Sequence, residues 1–200
     1  MHLDKLILID QSEALCDAWE EVFDGDNRVE VHCGDFFARP ADAMLSPANS
    51  FGIMDGGLDL AIRDELGFGV EKRVQQVILE SYFGELPVGA AIVVPTGQKR
   101  WPHLVSAPTM RIPEPVPYSL NAYLAFRAAL VAIWRHNQNR EDQHTIKSMV
   151  VPGLATGIGR MSPRRCAGQM RVAWRQFRGG PRIPSFDMIH KVHRALSKAQ

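Results

Sequence analysis

The sequence predicts an α/β sandwich around a mixed sheet. Two observations carry that expectation. Short apolar runs of the buried-strand kind alternate with amphipathic helical stretches along the 200-residue chain, and two of those runs end in glycine-centred loops that open directly into helices. With 46% hydrophobic and 22% charged residues, the composition suits one globular domain with a full core.

The elements follow in order. Residues 5–10 (Lys-Leu-Ile-Leu-Ile-Asp) form a short apolar strand. In residues 11–23, Leu15, Trp19, Val22 and Phe23 fall on one helical stripe, with Ser12 at the cap position and Gly25 beyond the end. Residues 28–33 alternate as a strand does and stop at Gly34-Asp35. A strand at 43–47 leads into the first glycine loop. Helices at 58–66 and 70–83 follow, the second marked by Val74, Val77, Ile78 and Tyr82 at helical spacing. Strands at 89–95 and 103–107 flank a Thr96-Gly97 turn. Pro108, Pro113, Pro115 and Pro117 make residues 108–118 an extended loop. A helix at 119–135, capped by Ser119, precedes a central strand at 149–151. Ser162-Pro163 is a helix start, with Ser at the cap and Pro at the first helical position. Gly179-Gly180-Pro181 ends that helix, and residues 186–196 make a last short one.

Composition narrows the function classes. The formal net charge is +1 with basic residues scattered, so no electrostatic footprint for nucleic acid stands out. The densest basic stretch, residues 160–182, reads as a solvated helix face, with a phosphate- or nucleic-acid-facing surface as the alternative. Cys16, Cys33 and Cys166 are odd in number and far apart, which argues against a disulfide framework and a zinc cluster. The N-terminal apolar run is five residues long and follows Asp4, so it is neither a signal peptide nor a membrane span, and a soluble, cytoplasmic protein is expected. His190 and His193 lie three apart with no third ligand in view, so no metal is expected there.

The chemistry concentrates in the two loops. The first runs from Ser46 through Asn49 to Gly56-Gly57-Leu58-Asp59, and the second is Pro152-Gly-Leu-Ala-Thr-Gly-Ile-Gly159. Strand, glycine loop, helix is how an α/β protein aims backbone N–H groups and a positive helix end at a phosphate. Two such loops imply a ligand held from both sides, with a diphosphate the natural candidate. The plainer alternative for Gly153, Gly157 and Gly159 is an ordinary strand-to-helix turn. Asn49 suits paired ribose hydroxyls. Asp59, in the first helical turn, either complements the helix dipole or orients a water or a hydroxyl. Arg111, in the proline loop, is available for a phosphate or for the protein's own carboxylates.

Taken together and in this order, the loops resemble those of the macrodomains, a family that binds ADP-ribose. Ser46-Pro-Ala-Asn49 is similar to the family's Asn-Ala-Ala-Asn, and Gly56-Gly57-Leu58-Asp59 to its Gly-Val-Asp at a helix start. The ten-residue step from Asn49 to Asp59 is like that of the hydrolytic MacroD-type members. Gly34-Asp35-Phe36-Phe37 resembles the Gly-Asp-Ile-Thr segment, and Ala155-Thr-Gly-Ile-Gly159 the loop that wraps the diphosphate. The Ala-Pro-Thr-Met-Arg run at 107–111 is similar to a phage-tail-like subset.

The resemblance implies a single three-layer α/β/α domain over residues 1–200 with a mostly parallel sheet. It also implies a ligand: ADP-ribose, free or on an ADP-ribosylated protein. By resemblance Asp35 and the Phe36 backbone would hold the adenine, and Asn49 and Asp59 would align the distal ribose and a catalytic water. Gly56, Gly57, Ala155, Thr156, Gly157, Ile158 and Gly159 would wrap the phosphates. No metal or redox cofactor is called for. Two departures matter. Met54 and Asp55 stand where hydrolytic members carry glycine, and Ile158 stands where an aromatic residue is common. Asp55 is placed with the ligand-binding residues, where it is a new catalytic group or a charge that repels diphosphate; the alternative is a turn residue facing water. Three functions stay open: an ADP-ribosyl hydrolase, a non-catalytic ADP-ribose reader, or an assembly protein that kept the fold without the pocket.

Overall fold

The structure is a computed structural model that describes residues 3–138 and 145–198. The strands are β1 (Lys5–Asp10), β2 (Val29–Cys33), β3 (Ala43–Ser46), β4 (Ile92–Pro95), β5 (His103–Ser106) and β6 (Ser148–Val151). The helices are α1 (Glu13–Phe23), α2 (Gly57–Leu66), α3 (Gly69–Tyr82), α4 (Asn121–Asn137), α5 (Pro163–Arg178) and α6 (Phe186–Lys198). The strands form one sheet in the order β2-β1-β6-β3-β5-β4, parallel except for the β4–β5 pair. The expected mixed, mostly parallel sheet is therefore present.

Strand alternation assigns the two faces. Leu6, Leu8, Leu45, Val105 and Met149 point to one side and pack with Trp19, Phe126, Met170 and Trp174 of α1, α4 and α5. Ile7, Met44, Leu104 and Val150 point to the other and meet Ile62, Val70, Val74 and Ile78 of α2 and α3. Both faces of the central strands are covered, which is why those strands read as continuous apolar runs. The result is the expected three-layer sandwich, with α6 attached outside it against α5.

A buried carboxylate ties the α1–β2 turn to α5. Asp26 accepts from the Trp174 indole N–H at 2.8 Å, from Arg171 at 2.9 Å and from Arg178 at 3.1 Å. Burial works against its charge, but the Trp174 and Arg171 donors outweigh it and hold the carboxyl below its ordinary value. Asp26→Ala leaves those donors unmatched and should cost about 2 kcal/mol, read as a lower urea midpoint with unchanged slope.

Local details differ from expectation at three helix starts. Ser12 occupies the cap position of α1, but its side chain makes no cap bond, and its N–H goes instead to Asp10 Oδ1 at 2.9 Å. Ser119 lies one residue outside the cap position of α4, yet its Oγ accepts from the Asn121 N–H at 3.3 Å. Residues 36–38 form a short 3-10 turn that the sequence does not announce, capped by Asp35. Ser162 caps α5 as expected, accepting from Arg165 N–H.

Candidate functional site

A cleft of about 440 Å³ opens at the carboxyl ends of β1, β3, β5 and β6. β3 and β6 are neighbours at the centre of the sheet, so the loops that leave them flank one opening. This is where open α/β sheets bind ligands. The cleft is lined by Asn49, Asp55, Gly56, Gly57 and Asp59 of the first loop and by Ala155, Thr156, Gly157, Ile158 and Gly159 of the second. The structure thus brings together nine of the sequence-derived ligand positions and both proposed catalytic residues.

Asp35 and Phe36 do not line it. Asp35 is exposed and its carboxylate accepts from the Phe37 N–H at 3.1 Å, while Phe36 is buried in the core layer under α2 and α3. Gly34, the neighbour of Asp35, donates to the carbonyl of cleft-lining Asp10 at 2.9 Å. Asp10 is a site residue that sequence reasoning misses. It lines the cleft at the end of β1, and its Oδ2 accepts from the Gly153 N–H at 3.0 Å, pinning the second loop. The one signal available is a carboxylate that ends an apolar strand.

Each loop has its own internal support. The first is held by the Asn49 amide: Nδ2 donates to the Ile53 carbonyl at 2.7 Å, and Oδ1 accepts from the N–H groups of Phe51 and Ile53. Gly52, at φ +63°, lies so close to α3 that a Cβ would stand 2.7 Å from Val74 Cγ1. Of the two residues that replace glycine, Met54 turns into the core, and its N–H goes to Glu71 at 2.8 Å. Asp55 is exposed on the cleft wall.

The helix that follows, α2, starts at Gly56 with no side chain capping its N–H groups. Its first residues, Gly57, Leu58 and Asp59, line the cleft, which places the positive end of the helix dipole at its wall.

The second loop carries strain. Ala155 sits at φ +60° and Arg160 at φ +53°, in a left-handed region that costs about 1 kcal/mol for a residue with a Cβ. The turn is closed by Met161 N–H to the Ala155 carbonyl at 2.9 Å and by Val116 N–H to the Gly159 carbonyl at 2.8 Å. Among the described residues, no group accepts from the N–H of Thr156, Gly157, Ile158 or Gly159. A row of backbone donors without a protein acceptor on a cleft wall is chemically suited to receive an anion.

Asp59 is the one strongly perturbed carboxyl among the described residues. Only 8% exposed, it takes the Ser46 hydroxyl on Oδ1 at 2.5 Å. Burial pushes its pKa up to about 6, with the Ser46 hydrogen bond opposing and the nearby Asp55 and Glu71 charges adding to the rise. A carboxyl with that pKa on a cleft wall gives and takes protons near neutrality. The buried thiols make poor nucleophiles, since burial pushes Cys16 and Cys166 up to about 12. Arg111 takes the plainer of its two expected roles, pairing through two hydrogen bonds with Glu85 at 2.7 and 3.0 Å.

Comparison with known proteins agrees with this architecture. The Macro domain family model matches residues 45–170, well over half of the chain. The chain belongs to the macro domain family. In structure it is similar to the macrodomain of Mycobacterium tuberculosis DarG (20% identity, TM-score 0.59, covering 72% of this chain and 88% of that one). It is also similar to a mutant Oceanobacillus iheyensis macrodomain with ADPR (16% identity, TM-score 0.63, 98% and 92%). A third is a Trypanosoma brucei macrodomain in complex with ADP-ribose (16% identity, TM-score 0.55, 82% and 66%). Among curated proteins, an uncharacterized protein of Aquifex aeolicus is 28% identical over 144 residues, 72% of this chain and 78% of that protein.

Proposed function

We propose that this macrodomain binds ADP-ribose and hydrolyses it from a mono-ADP-ribosylated protein or a related ADP-ribose derivative. The observation that carries the reading is the pair of glycine loops facing one cleft, one presenting free N–H groups from residues 156–159 and the other the uncapped start of α2. Two anion-binding surfaces across one opening suit a diphosphate. The similar Trypanosoma brucei structure is a complex with ADP-ribose, which supports the same ligand here.

In this reading the loops fix the diphosphate and the distal ribose lies toward α2. Asn49 keeps one amide hydrogen beyond its bond to Ile53, enough to orient a ribose hydroxyl. Asp59, ionised above about pH 6, takes a proton from the attacking water as the bond at ribose C1″ breaks, and the leaving group is protonated in turn. Asp35, next to the Gly34 that pairs with cleft-lining Asp10, remains the choice for the adenine amino group.

One observation favours a second reading, a non-catalytic reader of ADP-ribose: most of the Asn49 amide's hydrogen bonds are spent within its own loop. A single-turnover assay on mono-ADP-ribosylated protein separates the two. Release of ADP-ribose, abolished in Asp59→Ala, supports hydrolysis; binding without release leaves the reader.

A further inference from the structure

The charges around the cleft bear on what is attached to the ADP-ribose, and this step rests on the function proposed above. Three lining residues are ionisable, and all three are carboxylic acids: Asp10, Asp55 and Asp59. No Lys, Arg or His is among the lining residues. The donors on this wall are therefore backbone groups, and among the described residues every charged group that lines the cleft is acidic.

The three acids are not equivalent. Asp10 is committed to the backbone, accepting from Ser12 and Gly153. Asp59 and Asp55 are not so occupied. Asp59 is nine-tenths buried and lines the cleft, and among the described residues only its Oδ1 has a hydrogen-bond partner. Asp55 stands close enough to raise the Asp59 pKa further, and no described residue donates to its carboxylate. Glu71 is the other charge felt by Asp59, but it is engaged by Met54 N–H and lies 3.9 Å from Arg63. One end of the cleft thus carries two carboxylates beside a bound diphosphate. A neutral or acidic group there leaves or adds to the repulsion, whereas a cation offsets it and meets two acceptors.

We infer that Asp55 makes this macrodomain selective for ADP-ribose attached to a cationic group, with the guanidinium of an ADP-ribosylated arginine as the matching chemistry. A planar guanidinium offers paired N–H donors to carboxylates and stays charged at all working pH values. In the hydrolytic step the water oxygen bonds to ribose C1″, the C1″–N bond breaks, and the water proton ends on the departing guanidine nitrogen. Free ribose hydroxyl and an intact guanidinium result, and no other reactant is needed.

The test is calorimetry in EDTA with three ligands: free ADP-ribose, ADP-ribosylated agmatine as the guanidinium conjugate, and a neutral 1″-O-acyl ester of ADP-ribose. The agmatine conjugate should bind about tenfold tighter than the ester at low salt, with the gap shrinking at 0.5 M NaCl. Asp55→Asn should reduce the gap to about twofold and tighten free ADP-ribose. Equal affinity for the two conjugates, or a gap untouched by Asp55→Asn, overturns the inference while binding of free ADP-ribose leaves the proposed ligand standing. Failure of all three ligands to bind sinks the proposed ligand instead. A parallel titration of free ADP-ribose with Mg²⁺ covers the other cation a diphosphate brings. Tightening by Mg²⁺ that disappears in Asp55→Asn, without any preference for agmatine, assigns the carboxylates to the metal and contradicts the guanidinium proposal.

Discussion

Asp59→Asn is expected to slow ADP-ribose release at least about a hundredfold while raising thermal stability. Both effects come from one buried charge. Burial lifts the carboxyl from 3.8 to about 6, so the folded state holds the proton more tightly than the unfolded chain does. The direction of the linkage is fixed by that rise. Well below pH 4 both states are protonated and the ionised-carboxylate penalty is absent; it grows between about pH 4 and 6 and is complete above that. Two pH units correspond to about 3 kcal/mol, or a gain of about 5 °C or more in Tm for a chain of this size. Asn keeps an oxygen for the Ser46 hydroxyl and removes the charge. Differential scanning calorimetry at about pH 7.5 and pH 4 checks this: the gain should be full at the first and mostly gone at the second. The same titration predicts that hydrolysis by the unaltered chain rises with pH through about 6 and then levels off. A gain in Tm that persists undiminished at about pH 4 would mean that the charge is not its origin.

Gly159→Ala is the second large effect. A Cβ at Gly159 would stand 2.4 Å from the Ala155 carbonyl oxygen, which is backbone and is already bonded to Met161 N–H. A flexible side chain could yield, but backbone cannot, so the loop itself must open. The Val116 N–H to Gly159 carbonyl bond would strain with it. The expected cost is about 2 to 3 kcal/mol in stability, with ADP-ribose affinity down about a hundredfold because the N–H row loses its spacing. Gly157 provides the control. It lies in the same loop, but a Cβ there meets nothing within 4 Å, and its φ is not positive. Gly157→Ala should leave the melting temperature within about 1 °C of the unaltered chain. Equal damage from the two substitutions would contradict the packing explanation.

The sheet was legible in the sequence because its central strands are covered on both faces. Lys5–Asp10 and Ser148–Val151 therefore read as unbroken apolar runs. The two loops were legible because glycine is the residue that such turns require. The features without a local signal depend on contacts between distant parts of the chain. Asp10 reaches Gly153 across 143 positions, and nothing local to Asp10 marks it as the anchor of a loop. The Asn49 amide is expected to serve a ligand, yet much of its bonding is spent on its own turn. Arg111 finds Glu85, 26 positions away, and does not line the cleft. Met54 and Asp55 are adjacent, and only the fold reveals that one is core and the other cleft wall.

The cradle formed by residues 156–159 and the start of α2 is expected to hold a diphosphate nucleotide. Isothermal titration of the unaltered chain with ADP-ribose, alongside AMP and ribose 5-phosphate, decides the matter. The predicted result is roughly one site per chain for ADP-ribose with micromolar or tighter affinity, at least about tenfold weaker binding of either half, and loss of the signal in Gly159→Ala. No heat from ADP-ribose at millimolar concentration, or equal binding of ADP-ribose by Gly159→Ala and the unaltered chain, would contradict it.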